Sequence, residues 1–139
     1  MSKMPQPQTA AEALLRAMKA GGVDYLFANA GTDFPPVIEA YAGAEKAQAA
    51  MPVPLVVPHE NVAVGMAHGH YLVSGRTQAV MVHVNVGLAN TAMAVINAAS
   101  DTVPVLMCPG RTPATQKGRL GRTHRPPHRR PAPRDPAAT

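Results

Sequence analysis

The fold is decided by residues 53–84, VPLVVPHENVAVGMAHGHYLVSGRTQAVMVHV, which predict a strand, a helix and a second strand. The second strand, 78–84, is a nearly continuous apolar run, which is typical of a parallel strand covered on both faces. The first, 53–57, has the same character apart from Pro54. The helix between them is expected over 61–74, ended by Gly75. This unit predicts an α/β fold.

The same alternation extends towards the N-terminus. Residues 9–12, TAAE, have the form of a capping box in which Thr9 caps a helix and Glu12 reaches back. Gly21-Gly22 is expected to end that helix, and a strand follows over 23–28. Asp33 is predicted to cap a second helix, which opens with Pro35-Pro36.

Towards the C-terminus, residues 88–100 predict one further helix and residues 103–108 a fourth strand. The order is therefore α-β-α-β-α-β-α-β. Short connections of this kind favour right-handed crossovers within one sheet. We expect an open parallel sheet with helices on both faces.

The charge of the 139-residue chain divides it into two parts. Residues 1–110 contain five basic and seven acidic residues, whereas 111–139 contain eight basic residues, one acidic residue and six prolines. The net charge of +5 thus belongs to the second part. Such a segment has too little apolar area to offset chain entropy. The sequence predicts a folded domain over 1–110 and a disordered Arg/Pro-rich tail over 111–139.

Several classes of protein and site are not favoured. The single cysteine, Cys108, cannot form an internal disulfide. No secretory signal and no apolar run of membrane-spanning length is visible, so we expect a cytoplasmic protein without membrane contact. Phosphate-loop glycine motifs are absent. The zinc motif H-E-x-x-H fails at Ala63, and His68 and His70 are interpreted as surface or interface histidines, so no metal ligand is predicted.

Functional residues of an open parallel sheet lie at the carboxyl ends of its strands. Three turns qualify, over 29–33, 58–61 and 84–90. Glu60, in the second turn, begins a helix that contains Gly65 and Gly69, a spacing that permits close packing. From the local pattern two interpretations stay open: Glu60 favours the helix N-terminus through the helix dipole, or it carries chemistry.

Four motifs in these segments resemble thiamine-diphosphate-dependent enzymes. Residues 59–70, HENVAVGMAHGH, are similar to the H-E-x-x-A-x-x-M-A-x-G-Y signature of their N-terminal pyrimidine-binding domain, with the aromatic residue one position later. Residues 27–32, FANAGT, resemble F-x-N-P-G-[ST]. Residues 82–90, VHVNVGLAN, resemble a strand–turn–helix that ends in G-x-x-N, and 97–106 also fit. The resemblance covers about 10–110.

The resemblance implies a role for Glu60. In this family the glutamate at its position hydrogen-bonds N1′ of the aminopyrimidine ring and favours the imino tautomer, and the cofactor serves as electron sink in reactions of 2-oxo acids. Glu60 is thus expected to be both catalytic and cofactor-binding. We expect Val56, Val62 and Met66 to form an apolar surround for its carboxyl group.

The resemblance also assigns the neighbouring turns. A histidine at the position of His83 is typical of the benzoylformate-decarboxylase-like branch, where it acts on the substrate, whereas acetolactate-synthase-like members carry Thr or Ser. Thr32 matches a substrate-contacting serine. Gly31, Gly87 and Asn90 are expected to shape the backbone around the cofactor. The simpler interpretations stay open: a strand-end histidine for His83, and turn or cap chemistry for the others.

The resemblance further implies a second domain that holds Mg²⁺ and the diphosphate, and active sites formed between two subunits of a homodimer or tetramer. Nothing in 111–139 resembles that domain. The expectation is an incomplete pyrimidine-binding domain, inactive alone, with Mg²⁺ bound only in the intact enzyme. The composition of the tail is that of a GC-rich gene read out of frame, so a frameshift is one hypothesis.

Two alternatives remain at this point. One is a non-enzymatic protein whose tail binds nucleic acid or anionic lipid through counterion release, without base specificity because the tail lacks aromatic residues. The other is a half-enzyme that assembles with a separate diphosphate-binding partner. The sequence leaves the identity of the 2-oxo acid open, and favours decarboxylation over carboligation only through His83.

Overall fold

The structure of the protein, a computed structural model, describes residues 7–111, without the side chains of Lys46 and Ala47. The disorder and the frameshift predicted for the tail therefore concern residues outside the described part, apart from Arg111. Among the helices of the described part, none combines the length and the apolar character that crossing a membrane requires.

A four-stranded parallel sheet, in the order β2-β1-β3-β4, forms the centre of the described residues. In chain order the elements are α1 (Ala10–Ala20), β1 (Tyr25–Asn29), α2 (Pro35–Ala47), β2 (Val53–Val56), α3 (Glu60–Ser74), β3 (Ala79–Val82), α4 (Val84–Asn90), α5 (Ala92–Ser100) and β4 (Leu106–Pro109). The predicted α/β class and open parallel sheet are confirmed.

Helices cover both faces of the sheet, as predicted. Successive side chains of a strand point to opposite faces, and β1 divides its residues accordingly. Phe27 joins a buried cluster with residues of α3 and α5. Leu26 joins a second cluster with Leu15 of α1 and Val37 of α2. The two clusters form one core on each side of the sheet.

The helix ends follow the local sequence closely. Thr9 Oγ1 accepts the N–H of Glu12 at 3.1 Å. The Glu12 carboxylate reaches back one residue further than a standard capping box does, and accepts the N–H of Gln8 at 2.8 Å. Gly22 follows α1 with φ +90°, and Gly75 ends α3 with φ +68°. Glycine adopts such angles without steric cost.

The predicted cap of α2 is wrong. Phe34 occupies the N-cap position, and no side chain caps the helix there. Because Pro35 and Pro36 carry no N–H, the first available donor is Val37, and the backbone carbonyl of Phe34 already accepts it at 2.8 Å. Asp33 is therefore left for another partner.

The single helix predicted over 88–100 is two helices. α4 begins at Val84, directly after β3, and α5 begins after a break at Thr91. Thr91 is fully buried, and its hydroxyl donates to the carbonyl of Leu88 at 2.7 Å. This bond provides a donor for a carbonyl group in the last turn of α4, at the residue that separates α4 from α5.

Two strands differ from the prediction for identifiable reasons. β4 begins at Leu106 rather than at Val103, because the Val103 N–H closes the end of α5 on Ala98 and Pro104 has no N–H to donate. β2 is an edge strand of the described sheet. The prediction that both of its faces are covered is wrong, because Val56 is 82% exposed and Val53 is 50% exposed. Its edge position explains why Pro54 is tolerated.

Candidate functional site

All four strands are parallel, so their carboxyl ends meet at one edge of the sheet. The turn after β1 brings Asp33, the turn after β2 brings Glu60, the turn after β3 brings His83, and the end of β4 brings Gly110. The predicted site residues lie on this edge in two groups. Helix α4 links the groups, because His83 directly precedes it and Gly87 and Asn90 lie within it.

The first group, called the Glu60 cluster, consists of Glu60, Gly87 and Asn90. Glu60 is the first residue of α3, yet the acceptor that caps this helix is His59 Nδ1, which takes the N–H of Asn61 at 3.1 Å. The Glu60 residue is only 9% exposed. Asn90 Nδ2 donates to its Oε2 at 3.1 Å, so the carboxylate is fixed towards α4.

Gly87 leaves the space that the carboxylate uses. A Cβ added at Gly87 would lie 3.1 Å from Val82 Cβ and 3.3 Å from Glu60 Oε1, tighter than ordinary van der Waals contact. Oε1 thus faces a glycine, while Oε2 takes the amide of Asn90. Gly87 and Asn90, the two residues that match the G-x-x-N motif, therefore both lie beside the Glu60 carboxylate.

The apolar surround predicted for Glu60 is not a buried one within residues 7–111. Val56, Val62 and Met66 are 82%, 49% and 41% exposed. The buried residues of α3 are Glu60, Ala63, Val64 and Ala67. Their spacing of i, i+3, i+4 and i+7 defines the face of α3 that packs on the sheet. Val62 and Met66 lie outside that stripe.

The second group, called the His83 cluster, consists of His83, Asp33, Gly31 and Gly110. His83 Nδ1 lies 2.6 Å from Asp33 Oδ1. An ionised carboxylate can only accept a hydrogen bond, so the pairing requires the proton on Nδ1. Sequence reasoning missed Asp33 because it assigned this residue to the helix cap. The two prolines after Phe34 are the signal that no such cap is needed.

Glycines enclose this pair on two sides. A Cβ at Gly31 would overlap the His83 ring and would lie 2.7 Å from His83 Cβ. A Cβ at Gly110 would overlap Asp33 Oδ2 and would lie 2.8 Å from its Cγ. Gly31, predicted to shape the cofactor site, therefore belongs to the His83 cluster. Gly110 was not predicted, because its position depends on the pairing of β4 with β3.

Two asparagines at this edge form hydrogen bonds between neighbouring elements. Asn29 Nδ2 donates to the carbonyl of Val57 at 3.0 Å and links the ends of β1 and β2. Asn61 Oδ1 accepts the N–H of Ala94 at 2.9 Å and links α3 to α5. Thr32, predicted to contact substrate, is exposed in the turn between Gly31 and Asp33.

Other ionisable groups of the described residues lie outside these two clusters. His68 Nε2 lies 3.0 Å from Asp101 Oδ2, and His70 Nδ1 lies 2.9 Å from the Ser74 hydroxyl. Burial raises the pKa of the Cys108 thiol and raises the pKa of Tyr41 to about 12. Within residues 7–111, no group of three or more His, Cys, Asp or Glu side chains is arranged to hold a metal ion.

Gly65 and Gly69 do not contact another part of the described chain. A Cβ at either position would meet nothing within 4 Å. Val62, Met66, Gly69 and Val73 follow one another at steps of four, three and four residues, which places them along one exposed stripe of α3. The close packing predicted from these glycines is therefore not made within residues 7–111.

Known protein families and solved structures include relatives of this chain. Residues 8–130 match the family described as thiamine pyrophosphate enzyme, N-terminal TPP binding domain. This span continues beyond the boundary predicted near Arg111. The IlvX protein of Mycobacterium tuberculosis, provisionally named as an acetolactate synthase large subunit, is 32% identical over 100 residues, which are 72% of this chain and 18% of that protein.

Solved structures share the fold. The thiamine diphosphate-dependent 4-hydroxybenzoylformate decarboxylase of Rhodococcus jostii RHA1 superposes with a TM-score of 0.61 at 22% identity, over 74% of this chain and 18% of that chain. Benzoylformate decarboxylase from Polynucleobacter necessarius gives 0.63 at 14% identity, over 75% and 18%. The chain thus spans about a fifth of the length of these relatives. It belongs to the thiamine pyrophosphate enzyme family, in which it corresponds to the N-terminal TPP-binding domain.

Proposed function

We propose that this chain binds the aminopyrimidine ring of thiamine diphosphate at the Glu60 cluster and is the pyrimidine-binding part of an enzyme that acts on 2-oxo acids. The observation that carries the proposal is the buried Glu60 carboxylate, which Asn90 fixes and Gly87 leaves room for. It lies at the carboxyl edge of a parallel sheet in a chain of this family.

These residues suit a flat nitrogen heterocycle. Glu60 would hold the ring nitrogen N1′ by a hydrogen bond and would share a proton with it. Asn90 donates to Oε2 and so limits the rotation of the carboxyl group. Gly87 presents backbone instead of a side chain beside Oε1. The bound cofactor would supply an electron sink for the reaction of a 2-oxo acid.

We assign the His83 cluster to the substrate side of the site. His83 would act as acid and base on the 2-oxo acid and its products, with Thr32 in contact with substrate. The histidine favours decarboxylation. The IlvX relative is named after a carboligation reaction instead. Product analysis of the complete enzyme separates the two: decarboxylation alone releases an aldehyde, whereas carboligation joins two acyl units.

Binding of Mg²⁺ and the diphosphate would come from elsewhere. The two clusters fit a heterocycle and a small acid, and the described residues show no group of acidic side chains arranged for a cation. The chain spans about a fifth of its relatives. We therefore propose that catalysis requires a diphosphate-binding domain, on the same protein or on a partner, and that this chain alone is inactive.

We also propose that the complete enzyme is a homodimer or tetramer. The exposed stripe of α3, with Val62, Met66 and Val73 beside two open glycines, supports a packed interface there. The alternative of a nucleic-acid-binding protein depends on residues 111–139, which lie outside the described part apart from Arg111. No contact on the described surface favours that alternative over the family assignment.

Calorimetry with thiamine diphosphate and Mg²⁺, and with the isolated 4-aminopyrimidine fragment, tests the proposal. Glu60→Gln should weaken binding of both ligands about tenfold or more, since the loss of one hydrogen bond to a charged group is of the order of 1.5–3 kcal/mol. Glu39→Gln, which removes the same charge from an exposed position of α2, is the matched control. Binding that is absent, or equal in the wild-type chain and Glu60→Gln, would overturn the proposal.

A further inference from the structure

We propose that Asp33 is a positioning residue, which fixes the tautomer and the orientation of the His83 side chain. The proposal rests on the proposed function in one respect, namely that His83 exchanges protons with the substrate. The pairing itself is a property of the chain without any ligand, and it can be measured as such.

The geometry of the pair is that of a strong, directed hydrogen bond. Nδ1 of His83 and Oδ1 of Asp33 are 2.6 Å apart, shorter than the usual N–H···O separation of about 2.9 Å, and a charged partner shortens a hydrogen bond in this direction. The two side chains are 24% and 21% exposed, so the pair is partly screened from water without being cut off from it. The carboxylate accepts, and Nδ1 therefore carries the proton in the neutral ring.

This assignment determines what the other ring nitrogen can do. With the proton on Nδ1, the neutral ring has a lone pair on Nε2 and can accept a proton there. The resulting imidazolium carries protons on both nitrogens, and it returns to the Nδ1–H form when Nε2 gives its proton to a substrate oxygen. Asp33 acts in this cycle only as the hydrogen-bond acceptor that orients the ring.

The surroundings hold the pair in one arrangement. Gly31 packs against the imidazole ring and Gly110 against the carboxylate, and a methyl group at either position would overlap the pair. The Gly110 N–H donates to the carbonyl of Val82 at 3.1 Å, so the wall behind Asp33 is part of the β3–β4 ladder. Three strand ends thus converge on this one hydrogen bond.

The backbone beside His83 is strained in the same place. Val84 has φ +37°, a conformation that is rare for a β-branched residue. Strain of this kind persists where neighbouring structure over-determines the chain, and it concentrates at functional sites. The strained residue directly follows the histidine whose ring Asp33 orients.

Asp33 has no competing structural task at the adjacent helix. α2 begins at Pro35 with no side-chain cap, because its first two residues lack N–H groups. The carboxylate of Asp33 is directed across the sheet edge to His83 instead. Its position in the turn after β1 is therefore explained by the pairing.

The test is the ¹⁵N spectrum of the histidine rings in the chain without ligand, recorded where all rings are neutral. In the wild-type chain His83 should show a protonated Nδ1 and an unprotonated Nε2. In Asp33→Ala the signals should instead show an unprotonated Nδ1 and a protonated Nε2, because an unconstrained imidazole favours the proton on Nε2. In Asp33→Asn the amide oxygen can still accept from Nδ1, so the wild-type pattern should return.

Another acid–histidine pair among the described residues provides the matched control. His68 and Asp101 are 3.0 Å apart on α3 and at the end of α5. Asp101→Ala should alter the His68 signals and leave His83 unchanged, and Asp33→Ala should do the reverse. The backbone amide spectrum reports whether each variant is folded.

Two results would overturn the proposal: a protonated Nε2 on neutral His83 in the wild-type chain, or the same His83 pattern in wild type and folded Asp33→Ala. The first needs no variant, so it decides the matter even if Asp33→Ala does not fold. Failure to bind the cofactor would leave these spectra unchanged, and would count against the function of the Glu60 cluster alone.

Discussion

Glu60 illustrates how a charged side chain can take a place in the buried stripe of a helix. It occupies the first position of the i, i+3, i+4, i+7 pattern of α3, ahead of Ala63, Val64 and Ala67. A carboxylate in such a position is costly unless it is hydrogen-bonded. The amide of Asn90 provides one bond, and we propose that a ring nitrogen of the cofactor provides another.

Gln78 is a second buried polar residue, and its role is structural. It is fully buried, and its Oε1 accepts the N–H groups of Asp24 at 2.9 Å and Tyr25 at 2.8 Å, while its Nε2 donates to Arg76 at 3.1 Å. It therefore connects the start of β1 to the start of β3. All of its polar atoms are used within the chain.

Replacing Gln78 by methionine should destabilise the fold. The side chain keeps its length, but two backbone N–H groups lose their acceptor, and an unsatisfied buried donor costs of the order of 1–3 kcal/mol. We expect the free energy of unfolding in urea to fall by about 2–3 kcal/mol. Gln48→Met, at an exposed position after α2, should change it little. Equal effects of the two substitutions would contradict this account of Gln78.

Among the helices and strands, the helix ends follow from local chemistry and could be predicted. The order of the strands depends on which strands pair with each other, and it could not be predicted. Thr9 caps the start of α1, Gly22 follows its end, and Gly75 ends α3, all as expected, since caps depend on a few adjacent residues. The edge position of β2 depends on which strands pair. No local pattern contains that information, so the exposure of Val56 was not predictable.

The site divides in the same way. Glu60, Gly87 and Asn90 could be identified from motifs, and the structure brings them together across thirty residues of sequence. Asp33 was assigned to a local cap, because capping propensity ignores what lies fifty residues ahead. Its true partner follows from the parallel order of β1 and β3.

Asp24 connects three elements at the opposite end of the sheet. Lys19 Nζ of α1 lies 3.0 Å from Asp24 Oδ1, and Arg76 Nη2, before β3, lies 2.7 Å from Oδ2. The hydrogen bond from Lys19, and then the charge of Arg76, lower the pKa of Asp24 below its usual value of 3.8. Because the folded pKa is the lower one, this contribution to stability is present above pH 3.8 and is lost as the pH falls through the folded pKa.

Asp24→Asn tests this dependence. The wild-type chain should be more stable than the variant at neutral pH, and the difference in the free energy of unfolding should shrink as the pH falls below about 4. Urea denaturation at a series of pH values measures it, with Glu39→Gln on α2 as the control. A difference that stays constant down to about pH 3 would show that Asp24 acts without its charge.

Along the whole chain, the distribution of charge separates two stretches of sequence. Residues 1–110 have an excess of acidic over basic residues, and 111–139 hold eight of the thirteen basic residues. A net charge of +5 would suggest a polyanion-binding protein if the whole chain shared it. The carboxyl ends of the strands, with Glu60 and Asp33, instead belong to the part of the sequence with the acidic excess.

Any binding of this chain to DNA should therefore depend on the basic residues after 110. Each phosphate neutralised contributes about −0.9 to the slope of log affinity against log salt concentration. Replacing both Arg129 and Arg130 by glutamine should make that slope shallower by about 1.8 if both contact phosphate. Arg76→Gln, which removes a cation already paired with Asp24 at 2.7 Å, should leave it unchanged. Filter binding to random duplex DNA at several salt concentrations measures the three slopes. A slope reduced by Arg76→Gln and unaffected by the double substitution would place the polyanion contacts within residues 1–110, and would contradict the prediction that DNA binding depends on the basic residues after 110.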